Sequence, residues 1–343
     1  MTLKFEKSAV VARALSPSGE LLEQPVEIRI HPVSGRTCRI AFARSGEREA
    51  ATESLPPPPP SAHQKEACPF CRPQVFAQTP RFVPDFLSAG RLIREPSILF
   101  PKLFPYGTHS AVSLIDDQHF VEIGTASAAA YGNCLLNCRD FLRRIRRYDV
   151  RCRYLAITQN HLPSAGGSLV HPHLQVHADR VAPNHLRVLE QRTAHYFKRT
   201  GRRLFCDYLA AEQTDGARLI GPCGDWHWLA AFAPEGFYEI WGILPGVTGL
   251  NRISESQWMD LARGIVNAQR FYRHLNRNGY NLGMAVIDKS GSALEVRAVV
   301  VARSNYASWV RSDMTGYELM LGDMATFTAP EETARMARRF WQP

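Results

Sequence analysis

Residues 171–178 read HPHLQVHA, and in an extended strand this alternation puts His171, His173, Gln175 and His177 on one face and Pro172, Leu174, Val176 and Ala178 on the other. A half-buried strand ordinarily turns Thr, Lys or Ser to water, so a row of imidazoles and an amide asks for a chemical reason. From Ser127 the pattern changes period: Tyr131, Leu135, Cys138, Leu142 and Ile145 recur every three or four residues and predict an amphipathic helix. RYLAITQN then predicts a strand feeding the glycine loop before His171. Residues 183–201 predict a second helix, WHWLAAFAP and FYEIWGILP two strands, and SESQWMDLARGIVNAQRFYRHLN a long helix capped by Ser254 or Ser256. NLGMAVID and ALEVRAVVVAR close as strands, and APEETARMARRF as a terminal helix. At the other end, PVEIRIHPVSGRTCRIAFAR alternates about a turn at Ser34-Gly35 and predicts a hairpin. Pro56 to Pro60 then enforce a stiff extended surface connection. Strands arrive as hairpins and meanders, which predicts an α+β fold with an antiparallel sheet and flanking helices. The order of strands, long helix and two more strands recurs loosely after Trp226, a hint of two related halves.

Composition narrows the class. With 343 residues and 45% hydrophobic content, the chain can hold one large or two smaller cored domains. No apolar run approaches 18 residues, and Lys4, Glu6 and Lys7 interrupt the N-terminus where a signal peptide is uninterrupted, so a soluble, cytoplasmic protein without membrane contact is expected. A net charge of +9 suits an anionic partner such as a nucleotide or sugar phosphate as well as it suits nucleic acid. Much of the excess sits at Arg139, Arg143, Arg144, Arg146 and Arg147, expected to form a solvated helix face. Aromatics interleaved with basic residues on an exposed strand, which RNA binding would favour, are not found, so nucleic acid is not the expected partner. The eight cysteines are irregularly spaced and predict no disulfide framework, with Cys134 and Cys138 one helical turn apart in the core.

Cys68-Pro-Phe-Cys71 differs from the others because two intervening residues let both thiolates reach one tetrahedral ion. Pro73 and the following loop argue against a redox pair. His171 is the best further ligand, with His119 or His109 as the fourth; four protein ligands make a closed, structural zinc site. His173 then shares the face of His171 and stays metal-free. A neutral imidazole can attack phosphorus without first losing a proton, and later leaves as a neutral base. The preceding AGGS lets backbone amides at Gly166 and Gly167 approach an anion, Ser168 adds a hydroxyl, and Gln175 can donate to a phosphoryl oxygen as charge builds.

At these residues a family enters. N-x5-GGS-x2-HPH-x-Q, beginning at Asn160, resembles the signature of the galactose-1-phosphate uridylyltransferases of the histidine-triad superfamily. HPVSGRTCRIAFARSGER, CPFC, LFPKLFPYGTHSAVSLIDDQH and GYELMLGDMATFTAPEETARMARR are similar to further stretches of that family, so the resemblance covers most of the chain. It implies a catalytic histidine-triad-like half with the zinc site over residues 1–180 and a related half over 181–343. It implies zinc on Cys68, Cys71, His119 and His171. His173 would take a nucleotide from a nucleoside diphosphate sugar as a covalent nucleotidyl-histidine, release a sugar 1-phosphate, and pass the nucleotide to a second phosphate. Asn160, Gly166, Gly167, Ser168 and Gln175 would hold the α-phosphate, Tyr317 and Glu318 the hexose, and the protein would be a homodimer. Glutamine at 175 matches the transferases and phosphorylases of the superfamily, whereas its hydrolases carry histidine there. Three departures stand out. LEVRAVVVAR lacks the family's second His-x-His pair, so one metal is expected. Lys102 stands where an asparagine touches the nucleoside, which puts uracil in doubt, and Met324 replaces a glutamine of the sugar pocket. A phosphorylase using inorganic phosphate on a nucleotide sugar or dinucleoside polyphosphate is therefore the close alternative, and a non-catalytic zinc-containing nucleotide or RNA binder the distant one.

Overall fold

Two long strands open the chain, β1 (Glu6–Leu15) and β2 (Leu21–Ile30), and a turn at 31–36 leads to β3 (Thr37–Ala41). The turn is closed by the His31 and Gly35 amides, which donate to the carbonyls of Arg36 and His31. The expected hairpin is thus β2–β3, and β1 adds a partner that alternation could not reveal because every one of its residues is exposed. The computed structural model describes residues 3–41, 54–303 and 313–341, so the family-like stretch at 42–48 lies outside the described residues. Next come α1 (Gln74–Gln78), β4 (Leu92–Arg94), β5 (Ser97–Pro101), β6 (His109–Leu114), α2 (Ala128–Tyr148), β7 (Tyr154–His161) and β8 (His173–Asp179). The second half holds α3 (Asn184–Thr200), α4 (Leu204–Asp215), β9 (Leu219–Cys223), β10 (Trp226–Ala230), β11 (Phe237–Ile243), α5 (Glu255–His274), β12 (Gly279–Ile287) and β13 (Arg297–Arg303). It ends with α6 (Gly316–Leu321), β14 (Met324–Thr326) and α7 (Pro330–Ala337).

Ten strands form one antiparallel sheet in the order β4-β5-β6-β8-β7-β12-β13-β11-β10-β9. Read outward from the β7–β12 joint, each half repeats one arrangement of five strands, with a long helix inserted between its third and fourth strands. The fold is α+β, built from two related halves. A second sheet, β1-β2-β3-β14, closes with a parallel β3–β14 pair that seats Met324 opposite Cys38.

Both long helices open on a serine cap, and of the two candidates before α5 the structure uses Ser254. The Ser127 side chain accepts from the Ala130 amide, and Ser254 forms a reciprocal capping box with Gln257. The apolar stripe of α2 is buried, including Cys134 and Cys138. Its basic face is not wholly solvated: Arg139 is buried and donates to Asp140 of α2 and to Glu255 of α5, and Arg146 pairs at 2.8 Å with Asp288, just after β12. Across the helices lies a core with buried Trp226, Trp228 and Trp258. Gly264 lets α5 cross Trp228, since a Cβ there would sit 2.2 Å from the indole. Leu174, Val176 and Ala178 of β8 belong to this core, which turns His173, Gln175 and His177 to the opposite face. No helix of the described residues is long and apolar enough to cross a membrane.

The terminal helix α7 is fastened by Glu331, which accepts from Arg29 at 2.9 and 3.0 Å and from Arg218 at 2.8 Å. Burial alone would raise its pKa, but these two guanidiniums outweigh burial and hold it down at about 2, below the ordinary 4.5. The ionised carboxylate thus stabilises the fold fully above pH 4.5, and the contribution fades as pH falls through about 2. Glu331→Gln is expected to cost about 2 kcal/mol at neutral pH, and denaturant melts should show the gap to the parent closing below pH 4.5.

Candidate functional site

Cys68 and Cys71 flank a tight turn in which the Cys71 amide donates to the Cys68 carbonyl. Phe70, at the tip of the turn, packs edge-on against Phe100 of β5, His171 and His173. Phe100 sits with Val112 and Leu114 of β6, which stand opposite Gln175 and His173. One phenyl ring therefore holds the cysteine turn against the histidine strand.

Cys68, Cys71, His119 and His171 converge so that their ligand atoms all lie within 4.8 Å of one another. Cys71 Sγ stands 3.3 Å from His119 Nδ1 and 3.5 Å from His171 Nδ1, and Cys68 Sγ 4.0 Å from His171 Nδ1. A tetrahedral zinc ion with ordinary bond lengths separates sulfur and nitrogen ligands by about 3.6 Å, so the spacing fits. The tautomers fit as well. His119 Nε2 lies 2.9 Å from the Ser61 carbonyl and His171 Nε2 3.0 Å from the Asp116 carbonyl, so each Nε2–H is donated and each Nδ1 keeps its lone pair for the centre. Burial and the neighbouring Cys68 push the Cys71 thiol up to about 11, an arrangement of two crowded thiols that a cation would relieve. His109, the alternative ligand, is elsewhere, beside Asp149 and Cys152. That group offers no free carboxylate, since Asp149 is paired with Arg180 at 2.5 Å and Arg151 at 3.1 Å.

His173 is buried, with Nδ1 2.8 Å from the His171 carbonyl. A carbonyl only accepts, so Nδ1 carries the proton and Nε2 presents its lone pair. Burial first, with Lys102 adding to it against the hydrogen bond to His171, keeps the ring's pKa below the usual imidazole value. Two positions on, Gln175 Oε1 accepts from Lys102 Nζ at 2.6 Å. An ammonium cannot accept, so the Gln175 oxygen must face Lys102 and its NH2 is left as donor. Lys102 also lies 3.2 Å from the Tyr106 ring centre, and Tyr106 stacks on His177. His177 further contacts the Ser110 hydroxyl at 3.2 Å.

The glycine loop corrects one expectation. The Gly166 amide donates to Pro163 and the Gly167 amide to Leu162, so both are spent inside the loop. Gly167 is required sterically, because a Cβ would meet the Asn160 and Leu162 carbonyl oxygens at 2.8 and 2.9 Å. Ser168, next along the loop, is exposed. Asn160 is fixed by Asn281 of β12, whose amide donates to Asn160 Oδ1 at 2.8 Å and the Ala165 carbonyl at 2.9 Å, while Arg303 donates to Asn281 at 3.0 Å. Nothing in the alternation of NLGMAVID marks Asn281, which acts across the joint between the halves. Tyr317 and Glu318 are not brought to His173. They lie on α6, where the Tyr317 hydroxyl donates to Asp323 beside β14.

No family model matches the sequence. An uncharacterized protein of Archaeoglobus fulgidus is 27% identical over 343 residues, 99% of either chain. The ADP-glucose phosphorylase of Arabidopsis thaliana is 24% identical over 346 residues, 92% of this chain and 93% of that one. Among solved structures, that of an Arabidopsis thaliana ADP-glucose phosphorylase with bound ADP-glucose superposes with a TM-score of 0.70, 19% identity and coverage of 91% of this chain and 98% of that one. A uridylyltransferase structure gives 0.65, 17%, 92% and 98%. The chain thus shares its fold with the ADP-glucose phosphorylase and uridylyltransferase structures, the fold that the resemblance of its motifs implies.

Proposed function

We propose that the chain transfers a nucleotide from a nucleoside diphosphate sugar through a covalent nucleotidyl-His173. The observation that carries this reading is the buried imidazole whose Nδ1–H is held by the His171 carbonyl at 2.8 Å, leaving a neutral Nε2 beside a glutamine donor. Nε2 attacks the α-phosphorus, the bond from that phosphorus to the bridging oxygen breaks, and the sugar 1-phosphate leaves with the electron pair. In the second half an acceptor phosphate oxygen attacks the same phosphorus and Nε2 departs as a neutral base. Ser168 and Gln175 would donate to the phosphoryl oxygens as negative charge builds, and Asn160, tethered by Asn281, would position them. Zinc on Cys68, Cys71, His119 and His171 would be structural, fixing the backbone that holds His173. In this division residues 1–180 carry the reaction and 181–343 complete the sheet and brace its loops.

Lys102 favours inorganic phosphate as acceptor, because its ammonium adds a positive charge at Gln175 that a small dianion can use, and the ADP-glucose phosphorylase similarity supports the same choice. A sugar 1-phosphate remains the second acceptor. Since Tyr317 and Glu318 stand away from His173 of their own chain, contact with a sugar would require a second copy; the exposed Leu319, Met320 and Leu321 of α6 suit such a homodimer.

The test is incubation with UDP-, ADP- and GDP-glucose labelled at the α-phosphate. Acid-labile label on the protein is expected from at least one donor, chased by phosphate into nucleoside diphosphate or by a sugar 1-phosphate into a new nucleotide sugar. No label from any donor would leave a zinc-containing nucleotide binder. Gln175→Ala is expected to slow labelling on the order of a hundredfold with the donor's affinity little changed, as loss of a preorganised donor to the transition state does. Single-turnover quenched flow measures it; an unaltered rate would reduce Gln175 to packing.

A further inference from the structure

The polar face of β8 opens onto a cavity that runs away from His173 into the second half of the sheet. Strand registers fix its floor: His177 stands opposite Ala156, Ala156 opposite Ala285, and Ala285 opposite Arg297. The neighbouring row reads Gln175, Thr158, Gly283 and Val299. At about 4.8 Å per strand the span from His177 to Arg297 is about 14 Å. Small residues across that span leave about 640 Å³, walled by Leu186, Leu189 and Leu294 and ending at Trp241 and Arg297.

Arg297 is only 7% exposed and no carboxylate among the described residues pairs with it. Its guanidinium lies 4.3 Å from the Trp241 ring centre; Nη2 reaches only His185 Nε2, at 3.3 Å, and Nη1 has no partner among the described residues. The two carboxylates nearby are committed elsewhere. Glu235 pairs with Arg36 at 3.1 Å, and Glu239 accepts from the Trp241 indole and the Glu235 amide. Burial, reinforced by Glu235, also pushes Glu239 up to about 7, while burial holds His31 and His185 below the usual imidazole range. Arginine keeps its charge at any accessible pH, so a cation that no carboxylate pairs sits beside Trp241 in a mostly apolar chamber whose other charged lining is Asp179, Glu235, Glu239 and Glu295. An unpaired buried charge is costly unless something supplies its counter-ion.

We infer that the Arg297 end of this cavity binds a carboxylic acid with an apolar body, its carboxylate on the guanidinium and its body over the Ala156, Gly283 and Ala285 floor. Calorimetry with decanoate and decanol, two probes of one length, tests it at neutral pH on the full chain. Decanoate is expected to bind one to one, at least about tenfold tighter than decanol. Arg297→Met should erase that preference while decanol affinity stays, which also shows that the chamber is intact. Gly283→Leu should abolish binding of both probes, because a side chain there has open space and points into the floor, with nothing within 4 Å of its Cβ. Equal affinity for acid and alcohol in the unmodified protein, absence of decanoate binding, or a preference that survives Arg297→Met would overturn the assignment. The ratio in the unmodified protein decides even if Arg297→Met does not fold.

Discussion

His173→Asn is expected to lower kcat/KM for nucleotidyl transfer by roughly 10⁴-fold or more, with no label retained on the protein, while melting temperature and donor affinity stay close to the parent's. The reasoning starts from the two ring nitrogens. Nδ1 is fully engaged as donor to the His171 carbonyl at 2.8 Å. An asparagine amide can take over that donation from about the same place, so the buried cavity stays satisfied. What it cannot reproduce is a second nitrogen with a free lone pair on the far side of a planar ring. The variant thus separates the structural from the chemical use of one residue. Equilibrium binding of a nucleotide sugar and a thermal melt are the controls, and stopped labelling is the readout. Transfer at more than a few per cent of the parent rate would mean that phosphorus is attacked by something else, and water or acceptor in a single displacement would become the mechanism.

The histidine strand was legible because two periodicities overlap in it. Leu174, Val176 and Ala178 are there for the core, and the residues between them are free to be chemical. The cysteine turn was legible through its spacing, and the long helices through their apolar periodicity, the second also through its local serine cap. What could not be read is everything made by long-range closure. Lys102 and Gln175 meet at 2.6 Å across 73 residues, and no local pattern at KLFPYG announces that the lysine will orient a glutamine. Asn281 reaches Asn160 only because β12 pairs with β7, a register decided by the whole sheet. The choice between His119 and His109 likewise depended on how the chain after β6 folds back, since His109 opens that strand and His119 follows it. The spent amides of Gly166 and Gly167 show a subtler limit: glycine permits close backbone approach, but whether an N–H is free depends on which carbonyl the turn happens to face. α4 gave little signal because its buried face, Leu204, Phe205, Tyr208 and Leu209, also carries Glu212, while Cys206, Ala210 and Ala211 on the other side blur the contrast between faces.

Cys71→Ser is expected to remove one equivalent of zinc, lower stability by about 3 kcal/mol, or roughly 5 °C in melting temperature, and reduce kcat far more than it raises KM. Cys71 is the pivot of the cluster: it is fully buried and stands nearest both histidine Nδ1 atoms, at 3.3 and 3.5 Å. A serine hydroxyl is shorter, harder and not ionised at neutral pH, so it is a poor replacement for a thiolate toward zinc. Without the ion, His119 and His171 lose the tie that joins the cysteine turn to the strand. The effect then reaches chemistry through the backbone, because His171 supplies the carbonyl that fixes the His173 tautomer. Metal analysis, thermal melts and steady-state kinetics on the same preparation separate the links. Cys138→Ser is the control, a buried cysteine of α2 outside the cluster: it should lose stability but keep the zinc. If Cys71→Ser retained a full equivalent of zinc and the parent melting temperature, the four residues would be a packed group rather than a metal centre, and the orientation of His173 would have to be explained by Phe70 alone.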